Sequence, residues 1–462
     1  MQSRIRSHKY PQLDGKKPTN QFIPGQSLGV DATGTLLRPL IQSRLTYYAF
    51  VAFLLFIVGL GGYAYYTQLE NGLGVTGMRS VVLWGIYISN FVFFIGISHA
   101  GTLISAVLRI SGAEWRRPIT RMAESITVMA LIVGAMFPLI DLGRPDRLMN
   151  LIMYGRIQSP IIWDFISITT YLTGSIVYLY LPLIPDIAEC RDRLDGVSGV
   201  RKWLYSKLSL RWVNSENQRK ILQKSIGIMA VLIIPIAVSV HTVVSWIFGM
   251  TLRVGWHSAI YGPYFVVGAI FSGIATIIVA MGFFRKVYHL ENYLTVKHFK
   301  YLGYLLLTLD IALIYFTISE YLTAGYTGAL PESDWLSALF VGQYSPYFWS
   351  MFIVGFMVPA FIVAIPKTRT VLGFVLAAAL ADVGMYVERF LIVIPTLATP
   401  EVSPLENWGT YVPTWVELSI TAAAFAGFIL LYTLFSKTFP IVSSWELSEK
   451  QATTTEGNRN VD

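Results

Sequence analysis

The sequence predicts an all-α integral membrane protein with ten transmembrane helices. Three observations lead there. Hydrophobic residues fill 54% of the 462 positions and charged residues only 13%, about half the charged share of a soluble domain. Ten apolar stretches approach or exceed the ~20 residues a helix needs to cross the hydrocarbon. No alternating ten-residue pattern competes, and backbone groups inside a bilayer must be satisfied within the segment, so helices are expected rather than a barrel.

The stretches are 43–67, 81–108, 119–140, 161–184, 225–250, 262–284, 301–323, 347–365, 371–395 and 415–435. The first is rich in Phe, Leu and Tyr and carries no charge after Arg44. The second holds His99 beside the small residues Gly96 and Gly101. The third follows the basic run EWRRPITR and closes on PLIDLGRPDR; the fourth opens on Trp163 and Asp164. The fifth carries His241 in SVHTVVSW, and the sixth begins at YGPYF. The seventh contains Asp310 and ends near Glu320, the eighth is free of charge, the ninth carries Asp382, Glu388 and Arg389, and the tenth starts at Trp415. Many of the 26 Tyr, 27 Phe and 12 Trp sit near segment ends, as interfacial belts do.

Lysine and arginine give the orientation. Loop 185–224 alone holds Arg191, Arg193, Arg201, Lys202, Lys207, Arg211, Arg219, Lys220 and Lys224, and the other basic residues gather in 109–118, 285–300, 366–370 and the two tails. The opposite loops hold only Arg79, Arg144, Arg147, Arg156 and Arg253. The positive-inside rule then places both termini in the cytoplasm and the charge-poor loops outside, or on the periplasmic equivalent. The formal charge of +8 is explained by these loops without nucleic acid. Four parts follow: a tail over 1–42, helices one to five over 43–250, helices six to ten over 262–437, and a tail over 438–462. Tyr87-x3-Phe91-Val92 in helix two is echoed by Tyr261-x3-Phe265-Val266 in helix six. That echo suggests two four-helix bundles, helices 2–5 and 6–9, with helices 1 and 10 added.

Several chemistries are excluded. The single cysteine, Cys190, rules out a disulfide framework, a CxxCH haem attachment and an iron–sulfur cluster held by this chain alone. Only His99 and His241 lie deep, at heights that differ by several ångströms on a count of residues, so a haem between two axial histidines is not expected. No Walker loop, HExxH motif or dinucleotide fingerprint is present. The N-terminal stretch has no apolar core of a cleaved signal peptide.

The polar residues inside the apolar stretches are the candidate site. Counting along the helices puts Tyr87, Asn90, Asp141, Arg144, Trp163, Asp164 and His241 near one level toward the outer side, with His99 ~14–18 Å deeper and Glu124 near the height of His99. A histidine and a carboxylate at two ends of a flat ring suit proton uptake, and tyrosine and tryptophan suit its walls. Arg144 is expected to hold Asp141 ionised, though Asp141-x2-Arg144 also fits a loop ion pair. Intramembrane ionisable groups are functional by default; the alternative for each is a satisfied buried hydrogen bond, a helix cap or snorkelling to the surface. Glu124, Asp310, Asp382, Glu388 and Arg389 are candidates for a proton route or a structural ion network. Glu388 and Arg389, being adjacent, are expected to find partners on other helices. From the residues alone, an oxidised quinol and a transported acid both remain open; a secondary transporter or ion channel is the rival class, although helices two and six carry no proline in their cores.

The motifs GISHAGTLISAVLR, EWRRPITRMAE, FPLIDLGRPDR, SVHTVVSWIF and GWHSAIYGPYFVVGAIFSG resemble the NrfD-like membrane subunits of the polysulfide reductase type. Within that group the chain looks most like the quinol-binding C subunit of bacterial alternative complex III, whose paralogous F subunit shares the plan. The resemblance implies a membrane subunit that binds and oxidises a quinol, usually menaquinol, near the periplasmic face. Electrons would pass to an iron–sulfur subunit and then to multihaem c-type cytochrome subunits, beside a paralogous NrfD-like membrane subunit, with coupled proton translocation. The chain would hold no haem or cluster of its own. Carried over by motif, His99 belongs to SHAG, Asp141 and Arg144 to DLGRP, Asp164 to the WD pair and His241 to SVHTVVSW. At 247 the family often has an acid where this chain has Ile247.

Overall fold

A computed structural model describes residues 30–41, 43–194, 198–251, 253–401 and 407–446, the side chains of 30–35, 100 and 103 excepted. It is all-helical, with no β-strand among the described residues. Ten helices are long and apolar enough to span a membrane: α1 Leu45–Asn71, α2 Ile86–Ile110, α3 Arg117–Asp141, α4 Pro160–Arg193, α5 Glu216–Gly249, α6 Tyr261–Val287, α7 Val296–Thr327, α8 Ser345–Ala364, α9 Val371–Ala398 and α10 Trp415–Thr438. Each coincides with one of the ten stretches read from the sequence. The chain is therefore a multi-pass integral membrane protein. Most of 1–42 and 438–462 lies outside the described residues.

α2 is the hub. It runs along α3, α5 and α6 and also touches α9 and α10. Up to Ala106 its described residues are small or apolar on nearly every face, with Tyr87, Asn90 and His99 set among them, and it is buried nearly all round, which is how a helix surrounded by protein reads. Gly101 makes the α2–α3 contact possible: a Cβ there would lie 1.9 Å from the Ala123 carbonyl oxygen. α3 packs on α4 and α4 on α5; α6 packs on α7 and α9, and α8 on α9. α8 contains a π-helical stretch, Ser350–Met357, and meets α9 backbone to backbone at Gly355 and Gly384. α1 lies on α10 along the narrow stripe Leu54, Gly61, Ala64 and Gln68. The remaining Phe, Leu and Tyr of α1 face outward, as a lipid-facing surface does.

The two ends differ in charge. At the end where α3, α5, α7 and α9 begin (the basic end), Arg121 of α3 pairs with Asp186 of α4 at 2.8 Å. Asp186 also accepts from the hydroxyls of Ser443 and Ser444 and from the Trp445 backbone N–H. Glu446 pairs with Arg109 and, at 3.3 Å, with Arg116. The stretch after α10 is thereby tied beneath α2, α3 and α4. The other end, called the charge-poor end below, carries the starts of α2, α4 and α6 and a cap of aromatic rings.

Candidate functional site

His99 of α2 and His241 of α5 touch. His241 Nδ1 lies 3.0 Å from His99 Nε2, the ring centroids are 3.8 Å apart, and both residues are fully buried. This overturns the expected difference in height. By residue count His99 lies ~20 Å and His241 ~12 Å from the charge-poor ends of their helices. The helices are antiparallel, however, and every Cα–Cβ bond tilts toward its helix N-terminus. His99 leans toward the charge-poor end and His241 away from it, so two rings whose Cα atoms differ in height converge.

Carbonyl oxygens surround His99. Its Nδ1 is 2.9 Å from Ile95 O and 3.3 Å from Ser98 Oγ, and its Nε2 is 2.5 Å from Ala237 O. Tyr171 of α4 lies against the ring, centroid to centroid 4.8 Å, and donates to Ser98 O at 2.9 Å. Thr127 of α3 donates to the same carbonyl at 2.7 Å. One carbonyl thus pins α2 to both α3 and α4. His241 Nε2, in contrast, has no hydrogen-bond partner among the described residues. It points to the α2–α6 seam, where a Cβ on Gly96 would sit 4.0 Å from it and 3.4 Å from Ser272 Oγ.

On the outward side of the α5–α6 seam is a cleft of about 540 Å³ lined by Thr242, Ser245, Trp246, Tyr261, Pro263 and Val266, among others. Trp246 and Met250 at its mouth are exposed, so the cleft opens where lipid would be. Ser245 and Thr242 form one stripe of α5; Ala237, His241, Val244 and Phe248 form the next stripe inward and are buried. Two turns from His241, toward the charge-poor end, Phe248 packs on Trp256 at 4.9 Å and on Trp84 at 5.9 Å. Trp256 Nε1 donates to Ile392 O at 2.7 Å. These rings close the histidine pair off from the charge-poor end.

Asp164 is buried near the start of α4, and its Oδ1 has no partner among the described residues. Gly174 faces Ile233 across the antiparallel α4–α5 contact, which puts Asp164 about level with residue 243, within a turn of His241. Ile168, Tyr171, Ser175 and Tyr178 follow it on one buried stripe. Tyr171 is the site residue that the sequence reading missed; its signal was the spacing of seven from Asp164.

The remaining expected wall residues go elsewhere. Asn90 is nine residues from His99, about 180° around the helix. It donates to Thr421 of α10 at 2.8 Å and accepts from Tyr386 of α9 at 2.9 Å, so both ends of its amide are used on the far side of α2. Tyr87 donates to Gln68 of α1 at 2.7 Å, and Gln68 donates to Ile140 O at 2.8 Å. Asp141, at the end of α3, lies on that side of α2 too, with a buried Oδ1 that has no partner among the described residues. Trp163 turns back to donate to Ile157 O. Arg144 does not pair with Asp141. It is exposed and pairs with Asp146 at 3.0 Å, because Gly143, at φ +67°, turns the chain out of α3 between the two residues.

Farther toward the basic end, Glu124 of α3 is buried. Its Oε1 accepts from Ser105 at 2.6 Å, Ser105 lies 3.2 Å from the Tyr178 hydroxyl, and Glu124 Oε2 is unpartnered among the described residues. In the second half, Glu388 and Arg389 pair with each other at 3.2 Å, against the expectation of partners on other helices. Neither finds another counter-ion among the described residues, although Glu388 also hydrogen-bonds Tyr264 of α6, and the guanidinium lies 4.9 Å over the Phe265 ring. Asp382 accepts from Thr276. Both carboxylate oxygens of Asp310 are buried without a partner among the described residues.

An intramembrane histidine pair behind a lipid-open cleft, held in a bundle of ten spanning helices, marks a polytopic membrane protein built around a buried polar site. Residues 74–401 match the family model described as polysulphide reductase, NrfD, and the chain belongs to this family. It is similar to a putative dimethyl sulfoxide reductase membrane subunit of Halobacterium salinarum, 29% identical over 417 residues, covering 85% of this chain and 91% of the relative. It is also similar to the Hdr-like menaquinol oxidoreductase integral membrane subunit of Archaeoglobus fulgidus, at 26% over 365 residues, 77% of this chain and 81% of the relative. The menaquinone reductase integral membrane subunit of Nitratidesulfovibrio vulgaris is 22% identical over 405 residues, 82% of this chain and 88% of the relative.

Proposed function

We propose that this chain is the quinol-handling membrane subunit of an electron-transfer complex, oxidising menaquinol near the charge-poor end and passing the electrons to an iron–sulfur partner. One observation carries the reading: a lipid-open cleft lies between α5 and α6, and a buried histidine pair joins α5 to α2 on the next stripe of α5 inward. A quinol is an apolar ring on a long apolar tail and reaches its site from the bilayer, which the cleft suits. Two relatives bear menaquinol or menaquinone in their names. Oxidation releases two electrons to the partner and two protons from the ring hydroxyls. His241 is the ring's hydrogen-bonding contact, and Asp164, with an unpartnered buried oxygen at nearly the same height, is the carboxylate placed to receive a proton. Asp141 and Tyr87 border the same end from the other face of α2.

The lysine and arginine asymmetry supports a periplasmic charge-poor end and cytoplasmic termini in a bacterial cell membrane. Glu124, Asp310, Asp382 and the Glu388–Arg389 pair are buried ionisable groups away from the cleft, and they support proton translocation coupled to the same turnover. The motif resemblance favours the C subunit of an alternative complex III, with multihaem cytochromes and a paralogous membrane subunit as further partners. α2 and α6 run unbroken, which disfavours a transporter with interrupted helices at its site.

The test is menaquinol oxidation by the intact complex after mild detergent extraction. His241→Ala and Asp164→Asn are each expected to lower turnover by about 100-fold or more, the range of a general acid–base group, while the complex still assembles. Turnover that survives both changes removes the site. Uptake of a solute into liposomes by the chain alone makes it a transporter.

A further inference from the structure

His99 has a feature that the proposed reading leaves unused: both of its ring nitrogens face backbone carbonyls. A carbonyl oxygen only accepts. The closer approach is at Nε2, 2.5 Å from Ala237 O, where a bare nitrogen lone pair would face an oxygen lone pair. The hydrogen is therefore assigned to Nε2 from this acceptor pattern. Ser98 Oγ, 3.3 Å from Nδ1, gives its one hydrogen to Ile95 O at 2.6 Å, so the assignment rests on the shorter approach at Nε2. His241 Nδ1 faces the same His99 Nε2–H at 3.0 Å, so it must present its lone pair. A neutral His241 then carries its one hydrogen on Nε2. The same holds if His99 carries hydrogens on both nitrogens, since Nε2 remains a donor. Only a His99 with its single hydrogen on Nδ1 would reverse it.

We propose that His99 is a positioning residue: by donating from Nε2 it locks His241 in the tautomer whose Nε2–H points into the notch beside Gly96 and Ser272, where it serves as a hydrogen-bond donor to a quinone oxygen. The orphaned state of His241 Nε2 among the described residues is what a donor awaiting a ligand oxygen looks like in a wholly buried place. Most polar atoms in such places are paired; Asp164 Oδ1 and Glu124 Oε2 share the orphaned state among the described residues. Gly96 keeps the notch open; a methyl there makes ordinary contacts of 3.4 and 4.0 Å with Ser272 Oγ and His241 Nε2 and fills it without a clash. The proposal deepens the quinol reading and rests on it for the identity of the ligand. It also changes the division of labour at the ring: His241 holds the oxygen, and the proton acceptor is the carboxylate of Asp164.

The experiment has two arms. Solid-state NMR on the full chain, labelled with ¹⁵N-histidine and placed in bilayers without quinone, reads which nitrogen of His241 carries hydrogen. The expected result is hydrogen on Nε2 and a bare Nδ1 in the wild type, a mixture of tautomers in His99→Leu, and return of the single tautomer in His99→Gln, whose amide N–H can donate in place of the imidazole. Hydrogen on His241 Nδ1 in the wild type overturns the proposal. So does a single Nε2–H tautomer that persists in His99→Leu. The second arm measures the carbonyl stretches of bound menaquinone by infrared difference spectroscopy on the assembled complex. One carbonyl band is expected to be shifted down in the wild type, to lose that shift in His99→Leu and to regain it in His99→Gln; bound quinone with the same bands in all three overturns the donor role. If menaquinone does not bind the wild type at all, the quinol reading fails, while the first arm still decides the tautomer.

Discussion

Helices α2–α5 and α6–α9 differ in how most of their buried polar groups are held, although Asp164 Oδ1 and Glu124 Oε2 of the first set also lack partners among the described residues. In the first set the groups are bonded across helices: Tyr171 and Thr127 to the carbonyl of Ser98, His241 to His99, Ser105 to Glu124. In the second set the carboxylates stand apart. Asp310 has no partner among the described residues, Asp382 has one hydroxyl, and Glu388 pairs with its chain neighbour Arg389 and hydrogen-bonds Tyr264. Many shared neutral hydrogen bonds fix side-chain positions to a fraction of an ångström, which a ring-binding site requires. Isolated carboxylates fix little, but each is a place where a proton can be held.

Substitutions test this contrast between the two sets. The largest effect is expected in the second set. Arg389→Leu leaves Glu388 as an uncompensated buried charge and should cost about 3–5 kcal/mol, read as loss of assembled complex or a large drop in melting temperature. Arg389→Leu with Glu388→Gln should recover most of that loss; if the double variant is as unstable as the single, the pair is not an isolated one. A smaller effect is expected in the first set. Tyr171→Phe removes one donor from a carbonyl that keeps Thr127, and should cost about 1 kcal/mol in melting temperature while slowing quinol turnover more than stability alone explains. A Tyr171→Phe loss as large as that of Arg389→Leu would erase the contrast between the two sets. The smallest effect is expected at Arg144→Ala. Its ion pair with Asp146 is exposed, so neither assembly nor melting should change measurably; a turnover loss there would return Arg144 to the site.

How much was legible beforehand varies by residue. All ten helices could be read because a span is a local property: length and apolarity suffice. His241 and Asp164 stand out as candidates for the same reason, as polar residues in apolar runs. The pairing of the two histidines was not found, because counting residues gives the height of a Cα and not the lean of its side chain on an antiparallel partner. Asn90 and Tyr87 were grouped with His241 by height alone, and helix rotation sends one to α9 and α10 and the other to α1. Adjacency puts Glu388 and Arg389 on different faces, yet with no other counter-ion for either among the described residues the two long side chains pair.

Composition and hydropathy by themselves determined that this chain is a ten-helix membrane protein, and its motifs pointed to the NrfD family that residues 74–401 match. These depend on short stretches of chain read one at a time. The tertiary structure decided which polar groups share a place: which face of α2 meets which neighbour, that His99 and His241 touch, and that Arg144 and Asp141 do not. Those outcomes depend on the rotation and direction of helices far apart in sequence, and on how close Gly96 and Gly101 let them approach. No single stretch encodes either quantity.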